Sequence, residues 1–239
     1  MTEILFVHGA LVRDGAWWWR SAARAIEERT GVRSRALALP SCGETDAPAG
    51  SAGLVEDADA LRRALDGTAG GVLVVGHSYG GTVIAEGAEH PAAHHLLLIS
   101  SYLPGVGTAQ AQILADEPDP VAVSPATDGT VALAGLTERT FAERFLQDVP
   151  DQEVRAGAWR RVVPQSAAAL GTPTTRAAWR TRTSTAMVCV DDRSTTAALQ
   201  RRHAARATEQ VELPTGHHPF LSRPDLVAGE VQRILDARF

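Results

Sequence analysis

The chain has 239 residues with a formal net charge of −5, 44% hydrophobic and 21% charged residues, values typical of a globular protein that can bury a full core. Its basic residues are all arginine and are dispersed apart from a few doublets, so no basic stripe suits a phosphate backbone. We therefore expect no nucleic-acid partner, and the absence of lysine excludes lysine chemistry.

Other bulk signals concern location and assembly. Cys42 and Cys189 are far apart in sequence, which argues against a structural disulfide and favours a reducing compartment. The N-terminus enters a strand-like run at once, without the basic and long apolar regions of a leader, and no segment has transmembrane length. We expect a cytoplasmic monomer or homodimer with no membrane partner.

Short apolar runs alternate with helically spaced segments along the chain. Strands are predicted at residues 4–7, 35–39, 72–75, 96–99, 186–190 and 210–213. Helices are predicted at residues 17–29, 54–65, 82–88, 195–207 and 225–237. Continuous apolar runs, as opposed to strict alternation, are typical of strands covered on both faces. The pattern predicts an α/β fold, a mostly parallel sheet of about six strands with helices on both faces.

This alternation is interrupted between residues 105 and 182. No convincing strand is visible there, while residues 137–146 and 151–163 have helical spacing and residues 109–115 suggest a short helix. An insertion between two strands of an α/β sheet predicts a cap over the active-site end. We expect one domain, residues 1–239, with a cap insertion at about 105–182; the alternative is a helical decoration without a role in substrate binding.

A serine lies between a predicted strand and a predicted helix, in the stretch Gly76-His77-Ser78-Tyr79-Gly80. This stretch fits the G-x-S-x-G pattern, in which a sharp strand-to-helix turn presents a nucleophile. A Cβ at either glycine is expected to clash with neighbouring backbone at such a turn. The alternative is a tight turn in which the serine is incidental.

A serine nucleophile requires a base and an acid that orients the base. His217 and His218 follow the last predicted strand, and Asp191 and Asp192 follow the strand before it. Because ligands of parallel sheets bind beyond the carboxyl ends of the strands, these residues are expected to share an edge with Ser78. The chain order Ser, Asp, His is that of α/β-hydrolases. An aspartate pair after a strand is also a common helix N-cap.

The remaining histidines are not expected to act as the base, and His90, His94 and His95 are expected at the opposite edge of the sheet, in the stretch that connects a helix to the next strand. His77 is expected to pack or hydrogen-bond beside the serine, His203 to be solvated on its helix, and His8 to be a satisfied structural histidine. For the oxyanion hole, the N–H of Tyr79 is the expected donor from the turn, and the N–H of Ala10 is the best candidate from the first loop.

These stretches resemble the α/β-hydrolase superfamily, and more narrowly the small esterase and hydroxynitrile-lyase-like group with plant methylesterases and bacterial esterases. The matching stretches are Phe6-Val7-His8-Gly9-Ala10 with Gly15-Ala16-Trp17, Gly76-His77-Ser78-Tyr79-Gly80-Gly81, Ser101-Tyr102-Leu103-Pro104, Val188-Cys189-Val190-Asp191-Asp192-Arg193 and Gly216-His217-His218-Pro219-Phe220-Leu221. The resemblance implies that Asp192 is the acid and His217 the base. The hydroxynitrile lyases use a lysine and a first-loop threonine, whereas this chain has no lysine and carries Ala10-Leu11, so cyanohydrin cleavage is disfavoured.

The combined expectation is a cofactor-free and metal-free serine hydrolase that cleaves a carboxylic ester, such as a methyl ester or lactone, of a small apolar or aromatic molecule. Two alternatives stay open: a lyase, cyclase or carbon-carbon bond hydrolase on the same scaffold, and a ligand-binding receptor with a vestigial triad. The apolar substrate pocket is expected to be lined by Leu11, Tyr79, Tyr102, Leu103, Phe141, Phe145, Trp159 and Phe220.

Overall fold

The computed structural model describes residues 2–239. Its strands are β1 (Glu3–Val7), β2 (Ser34–Ala36), β3 (Val72–His77), β4 (Ala93–Ile99), β5 (Val123–Pro125), β6 (Thr130–Leu133), β7 (Gln165–Ser166), β8 (Thr183–Cys189) and β9 (Glu209–Leu213). Its α-helices are α1 (Gly15–Thr30), α2 (Leu54–Asp66), α3 (Gly80–Gly87), α4 (Gln110–Leu114), α5 (Glu138–Phe145), α6 (Gln152–Trp159), α7 (Ala167–Gly171), α8 (Ala197–Ala204), α9 (Pro219–Ser222) and α10 (Pro224–Arg238). Single 3₁₀ turns occur at Pro40–Cys42, Ala49–Ser51 and Ala178–Arg180.

Six of the strands form one sheet in the order β2-β1-β3-β4-β8-β9. Each strand pairs with its neighbours in parallel. The predicted α/β fold with a six-stranded parallel sheet is therefore confirmed. Because all six strands run the same way, their carboxyl ends meet at one edge, where the loops after β1, β3, β4, β8 and β9 converge.

The sheet has a core on each face, and alternate residues of each strand enter opposite cores. In β1, Ile4 and Phe6 belong to the core that contains α1 and α10, while Leu5 and Val7 belong to the core that contains α2 and α3. All four side chains are at most 1% exposed. Burying one aliphatic side chain of this size contributes roughly 1.5–3 kcal/mol, which explains why the strands read as continuous apolar runs.

Helix α1 fixes the first loop against the sheet. Asp14 caps its N-terminus, accepting a hydrogen bond from the N–H of Trp17, and itself has a left-handed backbone with φ of 65°. The ring of Trp19 stacks on Phe6 of β1, with centroids 4.4 Å apart and planes 7° from parallel. Trp18 is also buried, and its side chain reaches the edge of the sheet where the strands end.

The segment between β4 and β8 contains strands that sequence patterning did not predict. Strands β5, β6 and β7 form a small antiparallel sheet beside the helices α4 to α7. The expectation of no strand in this segment was therefore wrong. These strands have only two to four residues and β5 is exposed, so the segment lacks the longer apolar runs that mark the buried strands of the main sheet. The Asp128-Gly129 turn, with φ of 81° at the glycine, is a hairpin signal that was available in the sequence.

Several predicted elements are shorter than expected. Strand β2 ends at Ala36, and α6 ends at Trp159 because Val162 leaves the helix to form an isolated β-bridge with Val12 of the first loop. Within residues 2–239, no helix is long and apolar enough to cross a membrane.

Candidate active site

Ser78 occupies a strained turn between β3 and α3. Its backbone φ is 50°, a left-handed conformation that costs a non-glycine residue free energy and is typical of functional turns. A Cβ at Gly76 would lie 2.5 Å from the side chain of Ile84, and one at Gly80 would lie 2.4 Å from the carbonyl oxygen of Val7. The expected clash with backbone is confirmed at Gly80, whereas at Gly76 the nearest atom is the end of a flexible side chain and the nearest backbone atom, the carbonyl carbon of Gly80, is 3.0 Å away.

Asp192 and His217 form a buried pair at the ends of β8 and β9. Oδ2 of Asp192 lies 2.7 Å from Nδ1 of His217, and the aspartate side chain is fully buried. Burial alone would raise the pKa of Asp192, but the facing imidazole of His217 and the hydroxyl of Ser100 hold this pKa below its ordinary value. Asp192 therefore faces His217 as a carboxylate, an arrangement that favours the tautomer with the proton on Nδ1 and leaves Nε2 able to accept one.

Two groups that support the pair were missed by sequence reasoning. The hydroxyl of Ser100, directly after β4, lies 2.5 Å from Oδ2 of Asp192 and 3.0 Å from Nδ1 of His217. The amide of Gln200 in α8 donates to the same Oδ2 at 3.0 Å. Ser100 could have been found by its position, because it follows a parallel strand at the same edge as the other site residues.

The adjacent candidates for acid and base are placed differently. The side chain of Asp191 is exposed, and its backbone oxygen accepts a hydrogen bond from Nε2 of Gln147 at 2.7 Å. His218 points Nδ1 at the carbonyl oxygen of Phe145, 3.0 Å away, and its ring stacks on Trp18 with centroids 5.0 Å apart. Neither residue takes part in the buried carboxylate–imidazole pair.

Ser78 and His217 line the same cavity. Among the described residues, no hydrogen bond joins the hydroxyl of Ser78 to the imidazole of His217. Hydrogen bonds between nucleophile and base are often long in ligand-free enzymes and tighten when substrate binds.

Three buried imidazoles pack together beside the cavity, those of His77, His217 and His218. Nε2 of His77 lies 2.9 Å from the carbonyl oxygen of His217, as expected for a histidine that hydrogen-bonds beside the serine. Burial and the neighbouring His217 lower the pKa of His77 well below its ordinary value and that of His218 to about 3. Both rings are therefore neutral near neutral pH.

The same three histidines are a group in which a metal ion could be held, since one nitrogen of each lies within 4.8 Å of the others. A cation bound to His217 would compete with the proton that a catalytic base must accept. The absence of a metal at this site stays a prediction.

The backbone N–H groups of Tyr79 and Ala10 are among those of the cavity-lining residues that have no hydrogen-bond partner within the described part of the chain. The N–H of Leu11 is not available, because it donates to Oε1 of Gln165 at 2.8 Å. An unpaired N–H that faces a cavity is what an oxyanion requires.

His8 is held away from proton transfer. Its Nε2 lies 2.7 Å from Oε2 of Glu44, and its Nδ1 lies 2.8 Å from the carbonyl oxygen of Gly9. Burial would raise the pKa of Glu44, but His8 and the N–H groups of Leu39 and Asp14 hold this pKa below its ordinary value. Both nitrogens of His8 are engaged, which agrees with a structural role.

The expectation for His203 was wrong. This side chain is buried, and its Nδ1 accepts a hydrogen bond from the N–H of Leu103 at 3.0 Å. Burial and the nearby Arg206 lower the pKa of His203 to about 4. The flanking arginines in the sequence suggested a solvated face, whereas tertiary packing turns His203 toward the chain that follows β4.

The cavity is open to solvent, and its empty space together with the solvent at its mouth amounts to about 790 Å³. Five of the predicted pocket residues line it together with Tyr79: Leu11, Tyr102, Phe141, Phe145 and Phe220. Several lining residues were not predicted, among them Trp18, Gln110, Leu133, Leu170 and Thr195. Within the described part of the chain, no arginine, aspartate or glutamate lines the cavity.

Leu103 and Trp159 lie outside the cavity lining, contrary to expectation. Leu103 is 1% exposed and packs in the core that contains α2 and α3. Trp159 packs behind Phe141, with ring centroids 5.5 Å apart, and supports the wall without reaching the cavity. Apolar character identified both as packed residues, but only the fold decides which side of the wall they occupy.

The sequence match now assigns the family. Residues 4–230 match the Alpha/beta hydrolase family, and the chain belongs to that family. Among curated proteins, the Alpha/beta hydrolase nvfD of Aspergillus novofumigatus (strain IBT 16806) is 26% identical over 188 residues, which cover 72% of this chain and 74% of that protein. The resemblance drawn from the sequence motifs is confirmed.

Solved structures share the fold over nearly the whole chain. A pyrethroid hydrolase from Sphingobium faniae JZ-2 has a TM-score of 0.83 at 23% identity, covering 99% of this chain and 98% of that one. Polyneuridine aldehyde esterase has a TM-score of 0.80 at 17% identity, covering 98% and 99%. The methylesterase MES16 from Arabidopsis has a TM-score of 0.77 at 15% identity, covering 99% of both chains. At these identities the likeness establishes the fold.

Proposed function

We propose that the protein is a cofactor-free serine hydrolase that cleaves a carboxylic ester of a small apolar or aromatic molecule through an acyl-enzyme. One observation carries this proposal. The buried Asp192–His217 pair, joined at 2.7 Å, opens on the same cavity as Ser78 at its strained strand-to-helix turn.

In the proposed reaction, Oγ of Ser78 attacks the ester carbonyl carbon while Nε2 of His217 accepts the hydroxyl proton. The carbonyl oxygen becomes an oxyanion that the N–H groups of Tyr79 and Ala10 stabilise. The intermediate then expels the alcohol, which takes the proton from His217 and leaves the acyl group on the serine. A water molecule, deprotonated by His217, attacks this acyl-enzyme, and the carboxylic acid and free serine are released.

The carboxylate of Asp192 stabilises the imidazolium that forms during both halves of the reaction. Its other oxygen, Oδ1, accepts hydrogen bonds from the backbone N–H groups of Ser194 and Thr195 at 2.7 and 3.0 Å. These bonds hold the carboxylate in place, so it does not need to reorganise when charge develops on His217.

The cavity favours neutral substrates. Its walls include Trp18, Phe141, Phe145 and Phe220, and no cationic side chain of the described residues is available to bind a substrate carboxylate. The similar structures named hydrolase, esterase and methylesterase support an ester as the bond cleaved. We therefore propose alkyl or aromatic esters, including methyl esters and lactones, as the substrate class.

The proposal is tested with a panel of neutral esters and lactones and a fluorophosphonate probe. The parent protein is expected to hydrolyse members of the panel and to be labelled at Ser78. Ser78→Ala is expected to lose labelling and several orders of magnitude of turnover, whereas Ser51→Ala, a change at an exposed serine, is expected to keep both. Ester turnover that survives in Ser78→Ala would refute the mechanism. Labelling without turnover of any ester or lactone would favour a lyase, a cyclase or a carbon-carbon bond hydrolase.

A further inference from the structure

A chain of buried hydrogen bonds begins beside the first-loop donor of the proposed oxyanion hole. Leu11, which follows Ala10, donates its N–H to Oε1 of Gln165 at 2.8 Å. Nε2 of Gln165 donates to Oγ of Ser41 at 2.9 Å. That hydroxyl donates in turn to Oδ2 of Asp57 at 2.6 Å. The chain thus connects the first loop to α2 through the strand β7.

The same chain ends on the residue that carries the other proposed donor. The hydroxyl of Tyr79 donates to Oδ2 of Asp57 at 2.8 Å, and the N–H of Ser41 donates to Oδ1 at 2.9 Å. The side chains of Gln165, Ser41, Asp57 and Tyr79 belong to residues that are 0% exposed. We call this set of side chains the Gln165–Asp57 chain. Each donor in it has an acceptor, so the hydrogen bonds polarise and strengthen one another.

Burying the carboxylate of Asp57 has a desolvation cost, so a contribution to stability alone does not explain this arrangement. It is buried, and no salt bridge reaches it within residues 2–239. Burial raises the pKa of Asp57 even though Ser41 and Tyr79 donate hydrogen bonds to it. Apolar side chains of similar volume would avoid this desolvation cost, so a role beyond packing would explain the polar network.

The first loop contains a strained residue that hydrogen bonds from another segment keep in place. Leu11 has a left-handed backbone with φ of 60°, which is unfavourable for a residue with a Cβ. Its carbonyl oxygen accepts the N–H of Val163 at 2.9 Å, and its N–H is held by Gln165. Both polar groups of this strained residue are therefore fixed from one segment, residues 163–165.

We propose that Gln165 and Asp57 are positioning residues that set the separation and aim of the Ala10 and Tyr79 N–H groups. Neither side chain touches the substrate. Gln165 fixes the peptide that follows Ala10, and Asp57 fixes the side chain of Tyr79. The hydrogen bonds between Gln165 and Asp57 therefore fix the position of one N–H group of the oxyanion hole relative to the other. This inference rests on the proposed serine hydrolase function.

The test uses Gln165→Leu and Tyr79→Phe, assayed on an activated neutral ester with active sites titrated by the fluorophosphonate. Tyr79→Phe removes one oxygen atom and keeps the backbone N–H, so it reports on the chain even if Gln165→Leu fails to fold. We expect kcat per titrated site to fall about 10- to 100-fold with KM changed less than about threefold, because donors misplaced by a fraction of an ångström lose transition-state contacts. The double variant is expected to lose little more than the worse single variant, because both break one chain.

The matched control is Glu86→Gln. Glu86 is also a buried carboxylate that accepts hydrogen bonds from a loop, from the N–H and hydroxyl of Thr175 at 2.7 and 2.6 Å, but it does not line the cavity. We expect this variant to unfold at a lower temperature with kcat unchanged. The test variants would behave in the same way if the Gln165–Asp57 chain had only a structural role.

Each outcome decides the inference. A fall in kcat with steady KM in the test variants, and not in Glu86→Gln, supports it. If Gln165→Leu and Tyr79→Phe lose only stability, the chain is structural and the inference is overturned while the hydrolase proposal stands. If Ser78→Ala hydrolyses the ester as fast as the parent, the proposed function fails and takes this inference with it.

Discussion

Replacing Asp192 by asparagine turns one acceptor oxygen into a donor and leaves the side-chain shape unchanged. Because Oδ1 accepts from the N–H groups of Ser194 and Thr195, the new amide oxygen is expected to stay there. The amide nitrogen then takes the place of Oδ2, 2.7 Å from Nδ1 of His217. Two donors cannot share that contact, so His217 is expected to carry its proton on Nε2 and to lose its ability to deprotonate Ser78.

The size of the effect follows from two separate losses. A wrong histidine tautomer costs about 10⁴ in kcat in serine proteases, which is roughly 5.5 kcal/mol. Stability falls less, because Nε2 of Gln200 loses Oδ2 as an acceptor at 3.0 Å but keeps the carbonyl oxygens of Thr195 and Cys189, at 2.7 and 3.3 Å. Losing one such hydrogen bond costs about 1 kcal/mol, so the rise in the activation barrier is expected to exceed the loss of unfolding free energy severalfold.

The assay measures kcat and KM for a p-nitrophenyl ester near neutral pH, together with the free energy of unfolding in urea. Asp191→Asn is the matched control, since the side chain of Asp191 is exposed and its contact with Gln147 uses only the backbone oxygen. A kcat for Asp192→Asn within about tenfold of the parent would refute the tautomer argument. A larger loss in Asp191→Asn would reverse the assignment of the acid.

Three further predictions concern the base, the turn and the pH dependence of stability. His217→Ala is expected to abolish turnover of the p-nitrophenyl ester, whereas His218→Ala, which removes a ring engaged with a backbone oxygen, should keep measurable kcat; the reverse order would reassign the base. Gly80→Ala places a Cβ 2.4 Å from a carbonyl oxygen of β1 and is expected to lower the unfolding temperature and reduce kcat, while Gly229→Ala, whose new Cβ meets no atom within 4 Å outside its chain neighbours and its own helix backbone, should leave both intact. His203 has a folded-state pKa of about 4, below the 6.5 of an unfolded chain, so the unfolded state binds more protons and stability is lost as pH falls through this interval. From about pH 7.5 to about pH 5 this group contributes a loss of about 2 kcal/mol, which His203→Asn should remove from the urea-unfolding profile; an unchanged profile would contradict the burial argument.

Local patterns were enough to predict the residues whose role follows from chain order. Ser78 is recognisable because glycines flank it at a strand-to-helix junction. The pairs Asp191-Asp192 and His217-His218 are recognisable because each follows a later strand in a parallel sheet, and the family resemblance favours Asp192 and His217 within these pairs. The six-strand sheet was predictable because strands buried on both faces leave continuous apolar runs. Local patterns did not reveal Ser100 or Gln200, whose contacts with Asp192 depend on the arrangement of β4 and α8 beside β8.

By itself, the sequence determined the fold class, the edge of the sheet where the site lies, and the types of group that could react. Tertiary structure decided which of two adjacent aspartates is buried, which of two adjacent histidines meets it, and that Leu103 and Trp159 lie outside the cavity. It also joined Leu11 to Tyr79 through a glutamine 154 residues away from the first loop. Periodicity reports the burial of single elements, whereas the direction of a side chain at a loop is set by contacts between elements distant in sequence.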